Sequence, residues 1–423
     1  MNFAQRNLAR ESIEGAADDQ IDGLSNIESS EDNLDVQLTE VASLDGQLDQ
    51  LDGDQNTLTS DTERTEAAID QAQEPIENGE ELPEEAVAAS EVAQESIRRR
   101  WGLERTKLAR ESYRRSRGMT KAAQEGWKET LKDLYKRFIE FCKAVINKIK
   151  EIKLKYFNVG KTAQKRAKKF QEAIKKLGKR NKEEISGGFI TKLSIEGKFN
   201  PDQSIALAKE VTVGSKAKSA ITALSTQAGN AATQMSKAAE GDATASAGDT
   251  KVDLFGTAAS KLRNLPQFEN GESQTLHALP GNAYIQAGSK KIGEADFTAV
   301  GFMTTGDSAE EKNAPTPDVG KLSSAASGLE AIGKGFEKVL QDFRSYDSEV
   351  EKLEKAAEKA SAAFDKATDE GDRTALSHAR TAADQAVRNY QTLHRAVSYV
   401  ANTVISGLNG YIGAGIGAYA KQK

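Results

Sequence analysis

Cysteine and histidine are almost missing from this 423-residue chain: Cys142 stands alone, and His277, His378 and His394 are scattered. One thiol excludes an intramolecular disulfide framework, and three separated imidazoles leave little from which to build a zinc site. The fold therefore rests on packing, with no metal or cofactor expected. Aromatic residues make up 6% of the chain and hydrophobic residues 38%, which is lean for one compact globule and points to an elongated or partly disordered molecule. The opening residues, MNFAQRNLARESIEGAADD, hold acids by Glu11 and no apolar core segment, so a secretory signal peptide is not supported.

Catalytic constellations are also missing. There is no dinucleotide fingerprint, no paired-cysteine motif and no His-Glu-x-x-His. Gly328-Leu329-Glu330-Ala331-Ile332-Gly333-Lys334 has the glycine and lysine spacing of a phosphate-binding loop. Gly335 comes next, however, where Ser or Thr should ligate magnesium, and no strand precedes it. A flexible helix is the simpler reading, and no enzymatic activity is expected.

What is abundant is charge, and it is sharply segregated. Met1 to Ile97 holds 26 acids and 3 bases, Arg98 to Glu184 holds 29 bases and 10 acids, and the remaining residues are nearly balanced, with 26 bases and 28 acids. Such asymmetry suggests an acidic arm beside a polyanion-seeking region, although solvated helical faces would produce the same counts.

In the acidic arm, Leu24, Ile27, Leu34, Leu38, Val41, Leu44, Leu48 and Leu51 recur at spacings of mostly three or four, as in a coiled-coil seam. Gly23, Gly46 and Gly53 interrupt the pattern, and Pro75 and Pro83 break the stretch beyond it. The expectation is a disordered or coiled-coil arm over residues 1–97, with a linker from about Gln55 to Glu85.

The basic region, residues 98–184, opens with Arg98, Arg99, Arg100, Arg114, Arg115 and Arg117 around Trp101. A long amphipathic helix comes after it. Trp127, Leu131, Leu134, Phe138, Phe141, Val145, Ile149 and Ile152 step by three or four, while Lys128, Lys132, Lys136, Arg137 and Lys143 occupy other positions. Cys142 lies beside the apolar face as a small packing residue. A further basic run carries Lys165, Arg166, Lys168 and Lys169 and is expected to end at Gly178. A basic amphipathic helix binds nucleic acid, acidic membranes or acidic proteins; on DNA these side chains would contact phosphates without reading bases.

Residues 185–318 begin with an Ala- and Ser-rich helix from Asn200, an N-cap candidate with Pro201 at the first helical position. A small β element is expected near 273–305, with Pro280 and Gly281 between two of its apolar runs. Residues 319–423 read as a helical hairpin turning at Asp369 to Arg373. Its last stretch has no charge between Arg395 and Lys421 and is long enough to span a bilayer. Ser398, Asn402, Thr403, Ser406 and Asn409 favour a core or assembly helix there, with small residues allowing close contact. The fold class is mainly α and elongated.

The order of parts resembles internal head or prohead-core proteins of large contractile-tailed bacteriophages: an acidic arm, the basic helix GWKETLKDLYKRFIEFCKAVINKIKEIK, then Ala-rich helices around an LPGN-containing element. The resemblance implies a virion structural protein of the capsid interior, made in the host cytoplasm and assembled with other phage head or core proteins. It also implies trimming by the prohead protease, often after a glutamate with a small or aliphatic residue two places before. Ser12-Ile13-Glu14, Ala93-Gln94-Glu95, Ala123-Gln124-Glu125 and Ser194-Ile195-Glu196 fit, so Glu14, Glu95, Glu125 and Glu196 are candidate cleavage sites and the arm a candidate propeptide. Removing Met1 to Glu95 would leave 55 bases and 38 acids, suited to contact with DNA. The alternative is a membrane-active protein delivered to a host through the amphipathic helix and the uncharged C-terminus.

Overall fold

The Trp127 stripe organises the molecule. In the computed structural model, which describes residues 34–78, 83–103, 119–242, 252, 254–260, 275–292, 295–364 and 370–421, it lies on one 56-residue helix, Met119–Ile174. At 1.5 Å per residue that helix is about 84 Å long, which makes the protein elongated. All eight stripe residues are buried, because apolar side chains repeating every three or four positions form a single face that must be covered. The helix ends at Ile174, four residues before Gly178.

In chain order the helices are α1 (Leu34–Glu77), α2 (Glu84–Arg100), α3 (Met119–Ile174), α4 (Phe189–Lys192), α5 (Pro201–Val213), α6 (Ser215–Ala239), α7 (Val319–Asp342), α8 (Arg344–Phe364) and α9 (Glu370–Gly417). The strands are β1 (Leu177–Arg180), β2 (Glu184–Ser186), β3 (Ser194–Ile195), β4 (Lys198–Phe199), β5 (Thr257–Ala258), β6 (Thr275–Leu279), β7 (Ala283–Ile292), β8 (Ala295–Thr304), β9 (Asn313–Pro315) and β10 (Tyr419–Lys421). Helices α1, α7, α8 and α9 all pack along α3. The main apolar core draws on residues from Leu34 to Ala418, with Ile195, Ala278 and Tyr284 forming a small second cluster.

The expected linker after Gln55 is instead helix. α1 continues through Gly46, Gly53 and Pro75 to Glu77, burying Leu58, Ile69 and Ala72. Each interior glycine costs about 1 kcal/mol relative to alanine; burial against α3 and α9 offsets it, and Pro75 comes two residues before the helix ends, so the hydrogen bond it removes is lost only from the final turns. Pro83 does act as a boundary, preceding α2 with φ −51°.

Asn200 caps α5 as expected, its Oδ1 accepting from the Gln203 amide at 3.0 Å with Pro201 next in line. The β element is a four-stranded antiparallel sheet in the order β5-β6-β7-β8. Its β6–β7 turn places Gly281 and Asn282 at φ +73° and +55°. The sheet is tied to α9 by Asn389, whose Oδ1 accepts from Val300 N at 2.9 Å and whose Nδ2 donates to Thr298 O at 2.7 Å. The first helix of the expected hairpin is divided at Phe343, buried against Tyr390 and His394, and the turn expected at Asp369 to Arg373 is already helix from Glu370, the start of α9. The uncharged C-terminal stretch is a core helix: Val397, Val400, Val404, Ile405, Leu408 and Ile412 are buried. A Cβ on Gly407 would sit 2.8 Å from Leu193, and one on Gly415 would sit 2.5 Å from Leu322.

Candidate functional site: the charged faces of the central helix

Among the described residues between Arg98 and Lys155, most basic side chains meet carboxylates. Buried Arg98 donates to Thr130 Oγ1 and Asp133 Oδ2, both at 3.1 Å, and Arg99 pairs with Glu95 at 2.9 Å. Arg100 Nη1 bridges the two carboxylate oxygens of Asp61 on α1 at 2.8 and 2.9 Å, and Trp101 Nε1 donates to Asp61 Oδ2 at 2.9 Å. Lys136 pairs with Asp133 and Arg137 with Glu140; Lys128 and Lys132 are half-buried.

One turn of α3 after another then reaches α8. Lys143 sits between Glu354 at 3.2 Å and Glu358 at 3.7 Å, and the hydrogen bond and charge of Glu354 hold its ammonium above the usual lysine range. Lys150 meets Glu351 and Lys153 meets Asp347, while Lys155 turns to Glu40 of α1 at 2.8 Å. From Lys143 to Lys155 the basic stripe is largely interhelical pairing, and these lysines are components of the bundle.

Past Gly160 the pattern changes. Residues 161–182 hold ten bases and one acid. Lys161, Lys165 and Lys168 are exposed and Lys169 half-buried, and Lys175, Lys176, Lys179, Arg180 and Lys182 continue the exposed basic surface onto β1 and beyond it. Lys161 lies 4.0 Å from the ring centroid of Phe157, itself 43% exposed beside Leu154 at 74%. Arg166 is anchored, with Nε donating to Asn409 Oδ1 at 3.2 Å and its guanidinium over Phe170.

Three acids of α1 meet a row of arginines on α9. Asp49 pairs with Arg395, Glu66 with Arg380 at 3.1 Å and Asp70 with Arg373 at 3.7 Å. Arg388 reaches Asn56 and Thr59, and Gln55 donates to Asp384 Oδ1 at 2.6 Å. The sequence reading missed this antiparallel ladder. Its only local trace is the spacing of Arg373, Arg380, Arg388 and Arg395 by seven, eight and seven, two helical turns per step.

The phosphate-loop spacing has a packing explanation. Gly328, Gly333 and Gly335 lie inside α7, where a Cβ would meet Ile205 at 2.9 Å, the Gly160 carbonyl at 2.8 Å and Thr212 at 2.8 Å. Lys334 pairs with Glu330 one turn back. These glycines let helices cross closely and present no backbone cradle. Burial pushes the Cys142 thiol up and, with Lys153 nearby, holds His394 well below the usual imidazole range. Among the described residues no cluster of His, Cys, Asp or Glu is arranged to hold a metal, and no helix is long and apolar enough to cross a membrane.

The described residues form a helical bundle with internal charge ladders and an exposed basic surface at the end of α3. The family model for phiKZ-like phage internal head proteins matches residues 16–414. The chain belongs to that family. Internal head proteins are structural components of the phage head, which places the chain in the capsid interior. No curated protein and no solved structure gives a significant match.

In this internal head protein the candidate cleavage residues occupy differing settings. Glu95 is in the middle of α2 and Glu125 in the first turns of α3, each following a buried glutamine. Glu196 is at the β3–β4 turn with φ +53°, its carboxylate accepting from the Ser260 amide and hydroxyl. Glu14, Arg114, Arg115 and Arg117 lie outside the described residues.

Proposed function

We propose that this internal head protein packs with other head or core proteins and contacts DNA, without base readout, through the basic end of α3 and the strand after it. The observation that carries the reading is the run of ten bases against one acid over residues 161–182, largely exposed along the end of α3 and on through β1. Lysines on a helix face bind phosphates by charge and counterion release, and base edges are not involved. The lysines nearer the N-terminal end of α3 contribute less, because carboxylates of α8 and α1 already compete for them.

Processing by a prohead protease belongs to the same proposal. Proteases act at exposed, locally extended chain, so helical Glu95 and Glu125 and turn-bound Glu196 would each need local opening first. Cleavage after Glu95 would also remove Asp49, Glu66 and Asp70 from Arg395, Arg380 and Arg373. It would thereby add a row of arginines to the basic surface while raising the net charge to +17.

The test is a salt titration of the full chain on duplexes of unrelated sequence, beside N-terminal sequencing of the protein from purified particles. Similar affinity for every duplex, falling steeply with salt, supports the DNA reading. Salt-insensitive binding, or none at low salt, removes it; an intact N-terminus in particles removes the processing.

A further inference from the structure

Beneath α1 lies a polar knot, with Asp45 itself half-buried, that the packing role does not use. Asp45 directs its carboxylate inward between α3 and α9. Its Oδ1 contacts the Tyr156 hydroxyl at 3.0 Å and its Oδ2 the Ser398 hydroxyl at 2.7 Å. The Tyr156 and Ser398 hydroxyls also bond to each other. Both of these side chains are buried, at 0% and 1% exposure. The three groups thus close a triangle of three contacts, and two hydroxyls bring only two protons to it. A proton on Asp45 supplies the third: Asp45 donates to Tyr156, Tyr156 to Ser398, and Ser398 back to Asp45, a ring in which every contact has one donor and one acceptor.

We propose that this shared proton latches α1 into the groove between α3 and α9, so that the docking of α1 is tightest in acid and loosens as pH rises towards neutrality.

The surroundings favour the protonated form. Burial pushes the Asp45 carboxyl up from 3.8 to about 7, against the hydrogen bonds that its ionised form accepts from Ser398 and Tyr156 and the charge of Arg395, with Asp49 adding repulsion. Burial also raises Asp49 and Asp52 on the same face of α1, opposed by Arg395 and Arg388. From α3, Tyr156 stays protonated, pushed well above its usual range by burial and by Asp45. Lys153 is engaged by Asp347 and Lys155 by Glu40. From α9, His394 stacks on Tyr156 and is held neutral by burial; α7 contributes the ring of Phe336. Asp45 is therefore the principal group in the knot that titrates below neutrality.

A carboxyl that binds its proton more tightly when docked than when released favours docking at low pH. That advantage declines between about pH 4 and pH 7 and is constant above. The helix it holds is also weakened internally by Gly46 and Gly53. Its departure would uncover Arg373, Arg380, Arg388 and Arg395 together with the apolar floor beneath Leu44 and Leu48.

Hydrogen exchange of the full-length protein, with rates corrected for intrinsic exchange at each pH, tests the latch. Peptides within Leu34–Glu77 should lose protection by about 50-fold between pH 5 and pH 7, if the released carboxyl titrates at its ordinary value, while peptides within Val319–Asp342 do not. In Asp45→Asn, whose amide mimics the protonated carboxyl, most of that change should vanish, leaving the part due to Asp49 and Asp52. Protection of α1 that is flat with pH overturns the proposal. So does an Asp45→Asn protein with the full wild-type dependence, or loss of protection in α7 in step with α1. Should the variant fail to fold, the wild-type titration with its α7 control decides alone.

Discussion

The two parts of α3 on either side of Gly160 differ in what their lysines face. From Met119 to Gly160 there are ten bases and five acids, and from Lys161 to Lys182, running on into β1, ten bases and one. In the first part Lys143, Lys150, Lys153 and Lys155 meet Glu354, Glu351, Asp347 and Glu40 from other helices. In the second the basic side chains face mostly outward. Equal numbers of lysine and arginine therefore do not make equal polyanion surfaces: what counts is whether a neighbouring helix supplies carboxylates.

The comparison presumes a docked α3, and the most damaging change is one that undocks it. Phe138→Asp puts a charge where the stripe is 4% exposed and should cost about 4 kcal/mol or more. Lys136→Ala, on the exposed side, should stay within about 0.5 kcal/mol. Denaturant unfolding separates the two, and equal small effects would mean that the stripe is not covered.

Breaking the ladder beside α3 comes next. Arg380→Met leaves Glu66 facing a buried position without its partner, the two side chains being 4% and 11% exposed, and should cost about 3 kcal/mol. The same change at Arg99, paired with Glu95 but 71% exposed, should be nearly neutral. Thermal melts of both variants test whether burial, and not the mere presence of an ion pair, sets the scale.

The boundary between the two parts can itself be stressed. Gly160→Ala places a methyl group 2.8 Å from the Gly333 carbonyl oxygen, forcing α3 and α7 apart at a cost of about 2 kcal/mol. Gly53→Ala on α1, with open space around it, should instead stabilise by about 0.5 to 1 kcal/mol. Opposite signs in chemical denaturation are the expected result.

The smallest effect on stability should be the most informative about function. Changing Lys161, Lys168 and Lys169 to Gln should leave the melting temperature nearly unchanged, yet flatten the salt dependence of DNA binding by about one slope unit for each lysine that contacts a phosphate. The same triple change at Lys143, Lys150 and Lys153 should do the reverse, lowering stability and barely altering the slope. If both triples weaken DNA binding alike, the distinction between the parts of α3 fails.

Local pattern determined a good deal. The Trp127 stripe, the Asn200 cap, the β element around Pro280 and Gly281, and the uncharged C-terminal helix were all legible, because each depends on neighbours within a few residues: helical periodicity, cap chemistry, turn preference and hydropathy. The extent of α1 was not legible. Gly46, Gly53 and Pro75 argue locally for a broken arm, and the burial that overrides them comes from helices far along the chain. The same holds for the candidate binding residues. Composition placed a basic region at 98–184, but could not divide it at Gly160, since Glu351 and Glu354 approach Lys150 and Lys143 only after α8 folds back along α3. Charge and periodicity are properties of the sequence; whether a given charge is paired or exposed depends on long-range packing, and only the tertiary structure decided it.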